Sequence, residues 1–173
     1  MNSHFPLILE LDDRKFVETA VPKNFELRKA VRGIIQNKKN QFAVLYSTKD
    51  NYHKSPGGGS EKDENYEQTL LREIKEEIGF DVEIIDQVGL TIEYINSWSR
   101  IHLHYYFWAE TTGHEKELTH TEKEKNDGLI VQWYDLETLI QKYQSDLPSG
   151  LKRNIIKERE LAVLEYFKAV YKK

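Results

Sequence analysis

Glu73, Glu76 and Glu77 stand at i, i+3 and i+4, with Arg72 immediately ahead of them. A helix would put the three carboxylates on one face, because side chains three and four apart are surface neighbours. Like charges at that spacing cost a helix about 0.2–0.5 kcal/mol per pair. A divalent cation would turn the repulsion into ligation, and Mg²⁺ takes oxygen ligands of this kind. Glutamates on a solvated helix face are common, so their surroundings must decide between the two readings. Here a glycine loop precedes the helix, and Arg72 lies four residues before Glu76. At that spacing Arg72 either forms a surface pair or holds a glutamate in its ligating orientation. Such a set suits phosphate chemistry. Water must be delivered in line to a phosphorus ringed by negative oxygens, and carboxylate-held metal neutralises those oxygens and activates the water.

The full array is Gly58, Glu64, Arg72, Glu73, Ile74, Glu76, Glu77, Gly79 and Phe80. It resembles the Nudix box, G-x5-E-x7-R-E-U-x-E-E-x-G-U with U apolar, and fills every specified position. Weaker resemblance extends from about residue 30 to about residue 140. The resemblance implies an α/β/α sandwich with a mixed sheet and a pyrophosphohydrolase that depends on Mg²⁺ or Mn²⁺. It assigns metal ligation to Glu73, Glu76, Glu77 and the backbone carbonyl of Gly57, the residue before the box glycine. Arg72 would orient the glutamates, and Glu64 would accept backbone N–H groups at the helix start. Family members often recruit a further acid from a loop beyond the box. In LTHTEKEKNDGL the first candidate is Glu122, with Glu124 and Asp127 behind it.

The box specifies a diphosphate linked to something else and leaves that group open. ADP-ribose hydrolases resemble one another in a proline past the box, where this chain has Asn96. Diadenosine-polyphosphate members tend to carry a tyrosine shortly afterwards, where Ser97 and Trp98 stand. The extended motifs of NADH- and coenzyme A-cleaving members are missing. By elimination the chain most resembles the small nucleoside-triphosphate members of MutT type. A modified purine nucleotide such as 8-oxo-dGTP is then the expected substrate, cleaved to a monophosphate and pyrophosphate. The alternatives are an RNA 5′-end pyrophosphohydrolase and a noncatalytic nucleotide-binding module, although such modules commonly have broken box glutamates. One departure is visible: Ser55 precedes Pro56-Gly57, where the family often has an aromatic residue or leucine.

The elements that must position these residues follow from pattern. A helix over residues 65–78 ends at Gly79, suited to a left-handed cap, with Leu71, Ile74 and Ile78 on the face away from the glutamates. Strands are expected at 30–35, 42–46, 82–85, 89–94, 101–110 and 129–133, and residues 7–11 and 15–21 suggest an N-terminal hairpin. Gly33 inside a strand marks a bulge or a close backbone approach. Asp135 can cap a helix from Leu136. Residues 151–171 carry an apolar helical stripe of Ile155, Leu161, Leu164, Phe167 and Tyr171. The order implies one α/β domain over 1–173, with 1–26 a strand extension and 150–173 a C-terminal helix. Either flank is a candidate dimer element.

Along strand 101–110, His102 and His104 share a face and either ligate a metal or hydrogen-bond in a pocket. Trp98, Tyr105, Tyr106 and Trp108 either stack a nucleobase or pack a core. The chain has 173 residues, 39% hydrophobic and 31% charged, with a net charge of −4. That balance supplies no global basic field for a nucleic-acid duplex, so the expected partner is a small nucleotide. No cysteine is present for thiolate zinc or disulfides. No apolar run approaches the roughly 20 residues that span a bilayer, and no signal-peptide pattern opens the chain. A cytoplasmic location is the corresponding expectation.

Overall fold

The computed structural model describes residues 5–113 and 128–172. In chain order the strands are β1 (Leu7–Asp12), β2 (Glu26–Gln36), β3 (Phe42–Ser47), β4 (Tyr52–Lys54), β5 (Asp81–Ile95), β6 (Arg100–Thr112) and β7 (Leu129–Tyr134). Among the described residues the helices are α1 (Tyr66–Ile78), α2 (Leu136–Ser145) and α3 (Leu151–Tyr171). The sheet runs β1-β5-β6-β2-β3-β4, with β7 added to β3. It is mixed: β1 lies parallel to β5 and β2 parallel to β6, while β5 and β6 are antiparallel.

Alternation of apolar residues along the strands dresses both faces of this sheet. On one face Val31, Ile35, Leu45, Phe107 and Ala109 pack against Leu70, Ile74 and Ile78 of α1. On the other, Ile34, Val44 and Tyr106 meet Leu139 and Tyr143 of α2 and Val163, Leu164 and Phe167 of α3. The result is the expected single-domain α/β/α layering. Each fully buried aliphatic side chain of α1 contributes about 1.5–3 kcal/mol, which anchors the helix against the charge repulsion on its other side. Ile74 and Ile78 are buried as expected, but Leu70 joins them in place of Leu71, which is 43% exposed.

Three other expectations change. The hairpin does not form. Residues 7–12 pair in parallel with β5, and the chain then turns through a short 3₁₀ segment, Asp13–Lys15. Buried Asp13 fixes that turn by accepting from Asn96 Nδ2 at 2.8 Å and Ser97 Oγ at 2.6 Å. The strands expected at 82–85 and 89–94 are one strand, broken in register between Ile84 and Asp86 and again between Gln87 and Gly89. The strand around Gly33 begins earlier, at Glu26.

Gly33 is indeed a close approach. Strand β2 meets β3 only at Gln36↔Phe42, and loop 56–59 takes a partner strand's place along the rest of that edge. The Gly33 N–H donates to the Pro56 carbonyl at 2.9 Å, and the Val31 N–H donates to the Gly58 carbonyl at 2.8 Å. A side chain at Gly33 would also press on Ile74 of α1 at 3.0 Å. The glycine loop is therefore laid against the sheet, with α1 directly after it. No helix among the described residues is long and apolar enough to cross a membrane.

Candidate active site

Helix α1 is stopped sharply at both ends. The Asn65 carboxamide accepts from the Gln68 N–H at 2.8 Å, and Gln68 returns the bond to the Asn65 N–H at 3.0 Å. This reciprocal cap satisfies two of the helix's unpaired donors. Gly79 ends the helix with φ 75°, the left-handed conformation expected of it. Between these ends the box side chains converge on a cleft of about 710 Å³ that Gly57, Gly58, Arg72, Glu73, Glu76 and Glu77 line together.

Arg72 organises the acids. Its Nε donates to Glu64 at 2.8 Å, while Nη1 donates to Glu73 at 2.9 Å and reaches Glu76 at 3.3 Å. Nη2 reaches the Gly59 carbonyl at 3.2 Å. The guanidinium thus spans the loop, the helix start and two of the three glutamates, an arrangement beyond a surface i,i+4 pair. Glu64 also accepts the Glu61 N–H at 3.0 Å, and the Arg72 hydrogen bond pulls its carboxyl down to about 2.

Glu77 is the buried member of the set, with a residue exposure of 2%, whereas the Glu76 side chain is 39% exposed. The Gly57 N–H donates to Glu77 Oε2 at 2.5 Å, and Lys54 Nζ lies 3.4 Å from Oε1. Burial pushes the Glu77 carboxyl up to about 7 despite both partners, and burial also raises Glu73. Gly58 leaves room for the Glu73 carboxylate, which a Cβ there would displace. The donor set fits a hard divalent cation: carboxylate oxygens at the same cleft as a loop carbonyl, one of them desolvated and calling for positive charge.

That desolvation has a measurable sign. The unfolded Glu77 carboxyl titrates near 4.5 and the folded one near 7. The folded state therefore binds more proton between those values, and this stabilisation is lost as pH rises through about 7. In EDTA, the melting temperature should fall between pH 5.5 and pH 8, and Glu77→Gln should flatten the fall. A scanning-fluorimetry pH series in which Glu77→Gln keeps the wild-type slope would remove Glu77 as the cause.

The NUDIX domain family model matches residues 26–153, well over half of the chain. The chain belongs to the Nudix family. No curated protein matches it. Solved structures do. The E. coli ORF135 protein superposes with a TM-score of 0.58 at 18% identity, covering 84% of this chain and 91% of its own. A NUDIX hydrolase from Nitrosomonas europaea gives 0.58 at 14% identity over 78% and 90%, and a C. elegans Ap4A hydrolase gives 0.56 at 18% over 83% and 98%. At these identities the likeness establishes the fold. Together the family and the fold make this protein a Nudix pyrophosphohydrolase.

The rest of the Nudix cleft is built by three strands in register. Arg28, His102 and Glu93 lie side by side across β2, β6 and β5, and Ala30, His104 and Thr91 form the next row. Glu93 Oε2 is 3.4 Å from His102 Nδ1 and 3.1 Å from His104 Nε2, a spacing that would suit a metal. A guanidinium is already there. Arg159 Nη1 lies 2.8 Å from Glu93 Oε1 and 3.0 Å from His104 Nε2, supplying the positive charge a cation would bring. Burial, reinforced by Arg159, lowers His104 to about 3, so its ring is neutral. The histidines belong to a hydrogen-bonded pocket floor.

Three of the four candidate stacking aromatics are packing residues. Tyr106 is fully buried, Tyr105 stacks on Tyr66 with centroids 4.1 Å apart, and Trp108 packs against Phe167 and Tyr171. Trp98, 44% exposed, lines the cleft. Glu122, Glu124 and Asp127 lie outside the described residues.

Sequence reasoning passed over Arg32, Lys54, Glu93, Arg159 and Glu160. Arg159 left a trace: it falls four residues after Ile155 and four before Val163, inside the buried stripe of α3. Ser55 also finds its explanation there, since its Oγ donates to buried Glu160. The polar residue before Pro56 ties the glycine loop to α3 where an apolar one would leave Glu160 a partner short.

Proposed function

We propose that this Nudix hydrolase cleaves a nucleoside diphosphate linked to a further group, with purine nucleoside triphosphates such as 8-oxo-dGTP as its leading substrates and Mg²⁺ or Mn²⁺ as cofactor. The carrying observation is the convergence of Glu73, Glu76 and Glu77 with the Gly57 carbonyl on one cleft under the control of Arg72. Glu73, Glu76, Glu77 and the Gly57 carbonyl would hold the metal, with Glu122 as the further acid that family resemblance suggests. Bound there, a divalent cation offsets phosphate charge and lowers the pKa of attacking water. Arg72 keeps the carboxylates aimed, and the Gly57 N–H holds Glu77 in place. Loop 56–59, pinned to β2, keeps that scaffold rigid. Trp98 at the cleft supplies an aromatic face for a base.

The experiment is a substrate panel with Mg²⁺: dNTPs, 8-oxo-dGTP, ADP-ribose, a dinucleoside polyphosphate and 5′-triphosphate RNA. Purine triphosphates should give the highest kcat/KM, and excess EDTA should abolish turnover of every substrate. A tenfold lead for ADP-ribose or RNA, about 1.4 kcal/mol, would overturn the substrate class. Undiminished activity in EDTA would overturn the metal chemistry itself.

A further inference from the structure

Among the described residues three cationic side chains touch the oxygens assigned to metal: Arg72 at Glu73 and Glu76, Lys54 at Glu77 and Arg32 at the Gly57 carbonyl. Arg72 is anchored away from the metal ligands as well, by both oxygens of Glu64 and by the Gly59 carbonyl. Lys54, the last residue of β4, approaches Glu77 Oε1 at 3.4 Å. Arg32 of β2 donates through Nη1 to the Gly57 carbonyl, and its buried Nε has no hydrogen-bond partner among the described residues. Both side chains line the cleft. A divalent cation that takes the same Glu77 or Gly57 oxygen competes with Lys54 or Arg32 for it, because like charges repel in a partly desolvated site.

We propose that Lys54 and Arg32 are exchangeable counter-ions, which hold the Glu77 and Gly57 oxygens until a divalent cation takes them and then turn to the phosphate oxygens of the substrate. The inference rests on Glu77 and Gly57 being metal ligands. Reach favours the exchange. Lys54 carries a flexible four-carbon stem with three rotatable donors, and Arg32 carries a fork suited to phosphate. A phosphate bound beside the metal is the nearest anion for a displaced ammonium or guanidinium. Metal and nucleotide binding then become linked, since each makes the other's site more favourable.

The exchange has a signature that a purely structural lysine lacks. Lys54→Met removes the competitor for Glu77, so Mn²⁺ alone should bind more tightly. The same change removes a phosphate contact, so an α,β-methylene nucleoside triphosphate in saturating Mn²⁺ should bind more weakly. Shifts of about fivefold or more in opposite directions are expected by titration calorimetry. Lys54→Gln provides a second variant of the same sign should the methionine disturb packing. Mn²⁺ affinity that is unchanged or weaker in both variants overturns the exchange. Glu77→Gln separates the premises: Mn²⁺ affinity unaffected by it would overturn the ligand assignment itself, whereas dependence on Glu77 with indifference to Lys54 overturns only the exchange.

Discussion

Glu77→Gln, assayed in saturating Mg²⁺, should lose about 10²–10³-fold in kcat with its far-ultraviolet circular dichroism unchanged. The substitution keeps side-chain volume and leaves an oxygen to accept the Gly57 N–H, so the loop need not move. It removes one negative charge from a site whose task is to hold a divalent cation, and such contacts supply several kcal/mol of transition-state stabilisation. Glu76→Gln should lose a similar factor, and its half-exposed side chain makes an unchanged fold still more secure. The two should differ in stability. At pH 8 in EDTA, Glu77→Gln should melt at or above the wild-type temperature because it relieves a desolvated charge, while Glu76→Gln should be neutral. Near-normal turnover by either variant would take that residue out of the metal site.

The contrast shows which part of the site was legible in sequence. Residue type and spacing sufficed to gather Glu73, Glu76, Glu77 and Arg72 at one cleft, because a helix has one period. Local chemistry likewise reads directly: the left-handed cap at Gly79 and the Asp135 cap both occur as expected. Depth did not follow. Nothing in the order of residues distinguishes buried Glu77 from half-exposed Glu76, since the difference comes from loop 56–59 and Lys54 closing over one of them. The N-terminal strand failed for a related reason. Alternation identifies residues 7–12 as extended but says nothing about the partner, and β5, far along the chain, outcompetes the local hairpin through Asp13, Asn96 and Ser97. Leu70 and Leu71 are adjacent leucines, and small differences in helix phase decide which one faces the sheet.

Arg159→Met should cost the fold about 3–5 kcal/mol, the range for breaking a buried ion pair by removing one partner. For a chain of this size that lowers the melting temperature by roughly 6–20 °C. Arg159 lies 2.8 Å from Glu93 and 2.7 Å from Glu160, and all three side chains are at most 3% exposed. Burial alone would raise both carboxyls, but Arg159, with Ser55 at Glu160, holds them below their usual range. In the wild type, depressed carboxyl pKa values give stability that is present above about 4.5 and lost as pH falls through the folded values. Without Arg159 the sign reverses: burial raises both carboxyls, so the variant should regain stability between pH 7 and pH 5, where these groups in the wild type contribute little change. Adding Glu93→Gln and Glu160→Gln to Arg159→Met should restore much of the loss at pH 7, because no uncompensated charge then remains in the core. The measurement is a melting series of the single and triple variants at pH 5, 6 and 7. A single variant that melts within about 2 °C of wild type at pH 7 would show that Glu93 and Glu160 find water or another cation, and that α3 holds the cleft floor by apolar packing alone.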